Sequence, residues 1–211
     1  MSGRRMFVKV CGITSVADSL IAAEAGADAL GFVFWPSSPR YLEPGAARRI
    51  AAALPAAVVR VGVFVDAPRG QIARLVEDVG LDVVQLHGGE PPEELANLPR
   101  RAWKAVSVEA GFTGAAVMRY AQCAAAILVD SRVEATPGGT GRVCDWRLAR
   151  QARERARFLI LAGGLTPENV AQGIAAVEPD GVDVSSGVEA SPGRKDAAKL
   201  RAFLDAARSA S

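Results

Sequence analysis

Short apolar, β-branched runs recur along the chain at residues 7–11, 29–34, 58–65, 82–86, 102–106, 126–130, 158–161 and 181–184. The segments between them carry a different period. Ile72, Leu75, Val76 and Val79 follow an i, i+3, i+4, i+7 spacing, as do Leu200, Phe203, Leu204 and Ala207, so each set forms one face of a helix. Ser15 suits the N-cap of a first helix. Thr166 followed by Pro167 places a cap and an N1 proline ahead of Val170, Ile174 and Val177. Gly26 and Gly80 stand where a left-handed residue closes a helix.

Strands that are almost wholly apolar belong in a parallel sheet covered by helices. Eight strands alternating with helical segments predict an α/β fold, a closed eight-stranded (β/α)8 TIM barrel. With no linker or shift in composition, residues 1–211 read as a single domain. A doubly wound open sheet is the alternative, but its first turn should read G-x-G-x-x-G. Here the first strand runs into Cys11-Gly12-Ile13-Thr14. The fifth crossover, around residues 111–123, is the least regular and leaves open a full helix or a shorter one.

Composition narrows the function classes. The net charge is only +2, with arginines scattered among acids and no basic stripe interleaved with aromatics, which argues against a nucleic-acid partner. Three widely spaced cysteines point to a reducing compartment, and a single histidine cannot build an ordinary zinc site. No secretory leader is recognisable at Met1–Met6, and charge or glycine breaks each apolar stretch before about 18 residues. The expected setting is the cytoplasm, without a membrane partner. Monomer and homodimer both remain open.

In a barrel of this kind, side chains at the C-terminal ends of the strands surround one mouth. Cys11 ends strand 1 and Asp130 ends strand 6. A thiol titrates near neutrality, and a partly buried carboxyl is raised toward it, so the two suit a base and an acid. Arg40 sits in a loop stiffened by Pro36 and Pro39, where a planar fork can meet a carboxylate. Each has an ordinary alternative: a small buried hydrophobe, a loop cap, a surface charge. His87 and, two residues earlier, Gln85 are candidates for substrate contact. Gly163 and Gly164 follow strand 7, and Ser185, Ser186 and Gly187 follow strand 8; paired in this order they predict a phosphate site. Gly138, Gly139, Thr140 and Gly141 read as a mobile loop over substrate. Strand parity also predicts an ion pair between Lys9 and Asp183, one layer below the mouth and beneath Cys11.

The motifs Lys9-Val10-Cys11-Gly12-Ile13-Thr14, Gly31-Phe32-Val33-Phe34, Ser38-Pro39-Arg40, Val84-Gln85-Leu86-His87-Gly88, Asp130-Ser131, Ala162-Gly163-Gly164-Leu165 and Asp183-Val184-Ser185-Ser186-Gly187-Val188-Glu189 stand in the order of one known family. With Gly138-Gly139-Thr140-Gly141, Asp145-Trp146 and Pro192-Gly193-Arg194-Lys195-Asp196, nearly the whole chain resembles the phosphoribosylanthranilate isomerases. The resemblance implies an Amadori rearrangement of N-(5-phosphoribosyl)anthranilate in tryptophan biosynthesis, with no cofactor and no metal. It makes Cys11 the general base, Asp130 the general acid, Arg40 the partner of the anthranilate carboxylate, and the two glycine loops the phosphate site. The alternatives are a histidine-pathway phosphoribosyl isomerase, whose family has aspartate where Cys11 stands, and a barrel that binds a phosphorylated metabolite without turning it over.

Overall fold

The computed structural model describes residues 5–109, 111–130 and 144–210. Eight parallel strands close into a barrel in sequential order: β1 (Phe7–Cys11), β2 (Ala29–Val33), β3 (Val59–Phe64), β4 (Val83–Leu86), β5 (Arg101–Ser107), β6 (Ala126–Asp130), β7 (Leu159–Leu161) and β8 (Gly181–Val184). β8 returns to pair with β1, with Lys9 opposite Asp183. Around the barrel lie α1 (Val16–Glu24), α2 (Pro44–Ala53), α3 (Arg69–Val79), α4 (Pro92–Leu95), α5 (Gly114–Met118), α6 (Trp146–Arg153), α7 (Val170–Val177) and α8 (Ala197–Ser209). A hairpin of β9 (Glu189–Ser191) and β10 (Arg194–Lys195) follows β8.

The alternation of side chains along each strand sorts the core into two layers. Val8, Val10, Leu30 and Phe32 pack outward with Ile50, Ile72, Leu75 and Phe203 from the helices. Val61, Val83, Trp103, Ala105, Leu128 and Ile160 fill the barrel itself. Phe7 meets Trp103 and Phe158 edge to face, with ring centroids 6.0 and 5.7 Å apart, and these rings plug the N-terminal end. Cys11, His87, Asp130 and Ser185 gather at the opposite end.

Capping follows the sequence with one exception. Ser15 Oγ accepts from the Asp18 N–H, and Gly80 closes α3 at φ 73°. Before α7, however, residues 167–169 form a turn and the helix begins only at Val170. Thr166 Oγ1 accepts from the Glu168 N–H, while Asn169 Oδ1 accepts from Thr166 N–H and its amide donates to the Gly164 carbonyl. The Thr-Pro pair therefore caps a turn, because Asn169 spends its side chain tying the preceding glycine loop. The fifth crossover is short, with five residues in α5, and the fourth has only four in α4. Among the described residues, no helix is long and apolar enough to cross a membrane.

Candidate active site

Cys11 and Asp130 come from strands separated by β7 and β8 and line one cavity at the C-terminal mouth of the barrel. Val33, Val63, Val65 and Trp35 give this cavity an apolar wall, while Arg40, His87, Asp183 and Ser185 add polar groups. Gly31 makes this cavity possible: a Cβ there would lie 2.7 Å from Cys11 Sγ and 3.2 Å from Lys9 Cε.

Beneath the thiol, Lys9 Nζ donates to Asp183 Oδ2 at 2.8 Å, as strand parity predicts. Burial works against the Lys9 charge, but Asp183 and Cys11 outweigh it and hold the pKa above that of an ordinary lysine. Cys11 behaves differently from the sequence expectation. Burial pushes its pKa above the ordinary thiol value, and the opposing pull of Lys9 is insufficient to reverse this. The resting site therefore holds a thiol, and ionisation must be promoted by what binds there.

Gln85 lies wholly buried below the mouth, with its amide nitrogen 3.0 Å from His87 Nδ1. With that amide donating, the proton of the neutral ring sits on Nε2, which faces Asp130 Oδ2 at 3.7 Å. Burial, assisted by Lys9 and Lys104, lowers the His87 pKa to about 3, so this contact is not an ion pair at neutral pH. The consequence for stability has a definite sign. Between about pH 6.5 and 3 the unfolded chain binds a proton that the folded chain refuses, so acidification should cost on the order of a few kcal/mol. Thermal melting of wild type and His87→Gln across that range is expected to show the steeper fall in Tm for wild type; parallel profiles would remove the assignment.

Arg40 reaches the same cavity over Gly12, where a Cβ would collide with Arg40 Cδ. Its Nε and Nη2 donate to the two carboxylate oxygens of Glu189 at 2.8 and 2.7 Å, and the arginine is only 5% exposed. Glu189 and Lys195 carry no role in the sequence reading beyond motif membership. Their contribution appears only when the hairpin folds back onto a loop 149 residues earlier in the chain. The glycine loops also come together. A Cβ on Gly187 would run into the Leu165 carbonyl oxygen, so the loop after β8 rests directly on the loop after β7. Gly163 and Gly164 adopt φ values of 83° and 65°. Ser186 and Gly187 lie in a single 3-10 turn, which is followed by β9. Ser131, Gly138, Gly139, Thr140 and Gly141 lie outside the described residues. Among those described, no group of three or more His, Cys, Asp or Glu is placed to hold a metal.

The profile of the N-(5'phosphoribosyl)anthranilate (PRA) isomerase family matches residues 8–206. The N-(5'-phosphoribosyl)anthranilate isomerase of Pseudomonas fluorescens (strain Pf0-1) is 50% identical over 200 residues, covering 95% of this chain and 97% of its own. The crystal structure of the phosphoribosyl anthranilate isomerase from Thermotoga maritima superposes with a TM-score of 0.87 at 42% identity, covering 97% of this chain and 99% of that one. A further phosphoribosyl anthranilate isomerase structure, with TM-score 0.85, 42% identity and the same coverage, holds reduced 1-(o-carboxyphenylamino)-1-deoxyribulose 5-phosphate.

Proposed function

The chain belongs to the N-(5'-phosphoribosyl)anthranilate isomerase family, and on that premise we propose that Cys11 is the general base and Asp130 the general acid of its reaction. The reaction turns N-(5'-phosphoribosyl)anthranilate into 1-(o-carboxyphenylamino)-1-deoxyribulose 5-phosphate, a step of tryptophan biosynthesis. The observation that carries the assignment is the shared cavity: a thiol and a carboxyl, 119 positions apart in the chain (130 minus 11), both line it.

Asp130 protonates the furanose oxygen as the ring opens to an iminium. Cys11 then removes the proton from C2, giving an enolamine that tautomerises to the ketone. Because burial keeps the resting thiol protonated, the base has to be generated in the complex. The iminium adds a positive charge above the thiol, where Lys9 already supplies one below, and both favour the thiolate. The His87 Nε2–H faces the Asp130 carboxylate left after its proton departs, and stabilises it without being charged itself. Gln85 holds the tautomer that makes this possible.

Arg40 takes the anthranilate carboxylate. The Glu189 pair occupies the Nε side of its fork and so fixes the direction in which the Nη1–Nη2 edge faces. Gly163, Gly164, Ser185, Ser186 and Gly187 take the phosphate. The scheme calls on no external cofactor, and the enzyme works in the cytoplasm. The test is the loss of substrate fluorescence when N-(5'-phosphoribosyl)anthranilate is supplied, run beside the phosphoribosyl substrate of the histidine-pathway isomerase. Turnover of the first compound is expected; turnover of the second alone, or tight binding of the first without turnover, would overturn the proposal.

A further inference from the structure

The β9–β10 hairpin stands beside the mouth, yet none of its side chains moves a proton in the scheme above. Glu189 opens it, Lys195 ends it, and the two are register partners. Both side chains are buried, at 5% and 1% exposed, which is costly for charges unless they are paired. Glu189 Oε1 accepts from Arg40 Nε at 2.8 Å and from Lys195 Nζ at 2.9 Å, while Oε2 accepts from Arg40 Nη2 at 2.7 Å. Lys195 Nζ donates in turn to the Ser185 carbonyl at 3.1 Å. An unbroken chain of hydrogen bonds thus runs from the guanidinium at one side of the cavity to the phosphate loop after β8.

The hairpin is itself anchored from both flanks. The Lys195 N–H donates to Asp18 Oδ2 in α1 at 3.1 Å, the Thr14 hydroxyl to the Gly193 carbonyl, and Lys199 Nζ in α8 to the Glu189 carbonyl at 2.9 Å. Burial raises the Glu189 pKa, but Arg40 and Lys195 outweigh it and keep the group a carboxylate. Arg40 and Lys195 thus place two cations around this one carboxylate.

We propose that Glu189 and Lys195 are positioning residues that fix the span between Arg40 and the phosphate loop, so that the site measures the distance between the substrate's carboxylate and its phosphate. This rests on the functional reading above. A buried carboxylate with bidentate geometry holds a guanidinium in one pose, whereas a glutamine of the same size offers one acceptor and turns a donor toward another donor.

The test is calorimetric binding of three probes. They are reduced 1-(o-carboxyphenylamino)-1-deoxyribulose 5-phosphate, its phenylamino counterpart lacking the carboxyl, and inorganic phosphate. Wild type is expected to prefer the carboxylated compound. Glu189→Gln should reduce that preference by about tenfold or more, the usual scale for disrupting a buried charge pair, and leave inorganic phosphate binding unchanged. In steady state KM should rise more than kcat falls. Lys195→Met should weaken both ends together, since it cuts the link to Ser185. A preference that survives in a folded Glu189→Gln variant overturns the proposal. Should that variant fail to fold, Glu189→Asp keeps the charge on a shorter arm, and an undiminished preference there overturns it equally. Wild type that neither binds these probes nor turns over substrate would remove the functional reading, and this one with it. Wild type that does both, beside variants that lose the preference, supports the two together.

Discussion

Cys11→Ser is expected to lower kcat by roughly 10²- to 10⁴-fold, the contribution of one positioned proton-transfer group. The substitution changes little in volume and leaves the Lys9–Asp183 pair in place beneath it. What it removes is an ionisable group within reach of neutrality, since a serine hydroxyl stays protonated where a thiol can be coaxed into ionising. Inorganic phosphate should inhibit the variant as well as it inhibits wild type, because the substitution removes no group of the glycine loops that follow β7 and β8. Wild-type kcat/KM should also climb with pH past the ordinary thiol range, as burial holds Cys11 above it. Steady-state kinetics with phosphate as competitor would decide the matter, and near-normal kcat in the serine variant would refute the assignment of the base.

Asp130→Asn should be of similar severity but at a different step. The amide matches the carboxyl in shape and cannot deliver its proton to the ring oxygen, so ring opening becomes limiting. The neutral His87 then faces an amide in place of a carboxylate. Deuterium at C2 of the substrate separates the two variants. A primary isotope effect should be large in Cys11→Ser, where C–H cleavage limits, and suppressed in Asp130→Asn, where it does not. Retained turnover in the asparagine variant would take Asp130 out of the acid role.

Much of this architecture was open to inspection in the chain itself, for a physical reason. Strands buried on both faces are almost wholly apolar, so all eight runs coincide with strands to within about a residue or two at either end. The Lys9–Asp183 pair was foreseeable from parity alone, because β1 and β8 must be neighbours once the barrel closes. Three things were not legible. The turn before α7 depends on Asn169 turning its side chain back to Gly164, a choice that no periodicity records. The protonation of Cys11 depends on burial outweighing a cation beneath it, a balance between two large opposing effects. The grip of Glu189 on Arg40 joins positions 149 apart through a hairpin of two short strands, too brief to carry a pattern. Arg40 could be named as a site residue; what steadies it could not.

The ring cluster of Phe7, Trp103 and Phe158 has a kinetic corollary. With the barrel stoppered at that end, the doorway among the described residues is the C-terminal mouth. Product must depart by the route its precursor entered, and the two cannot occupy the chamber together. Inhibition by product should therefore be purely competitive, and any bulky group fastened at the rim would slow arrival and departure alike.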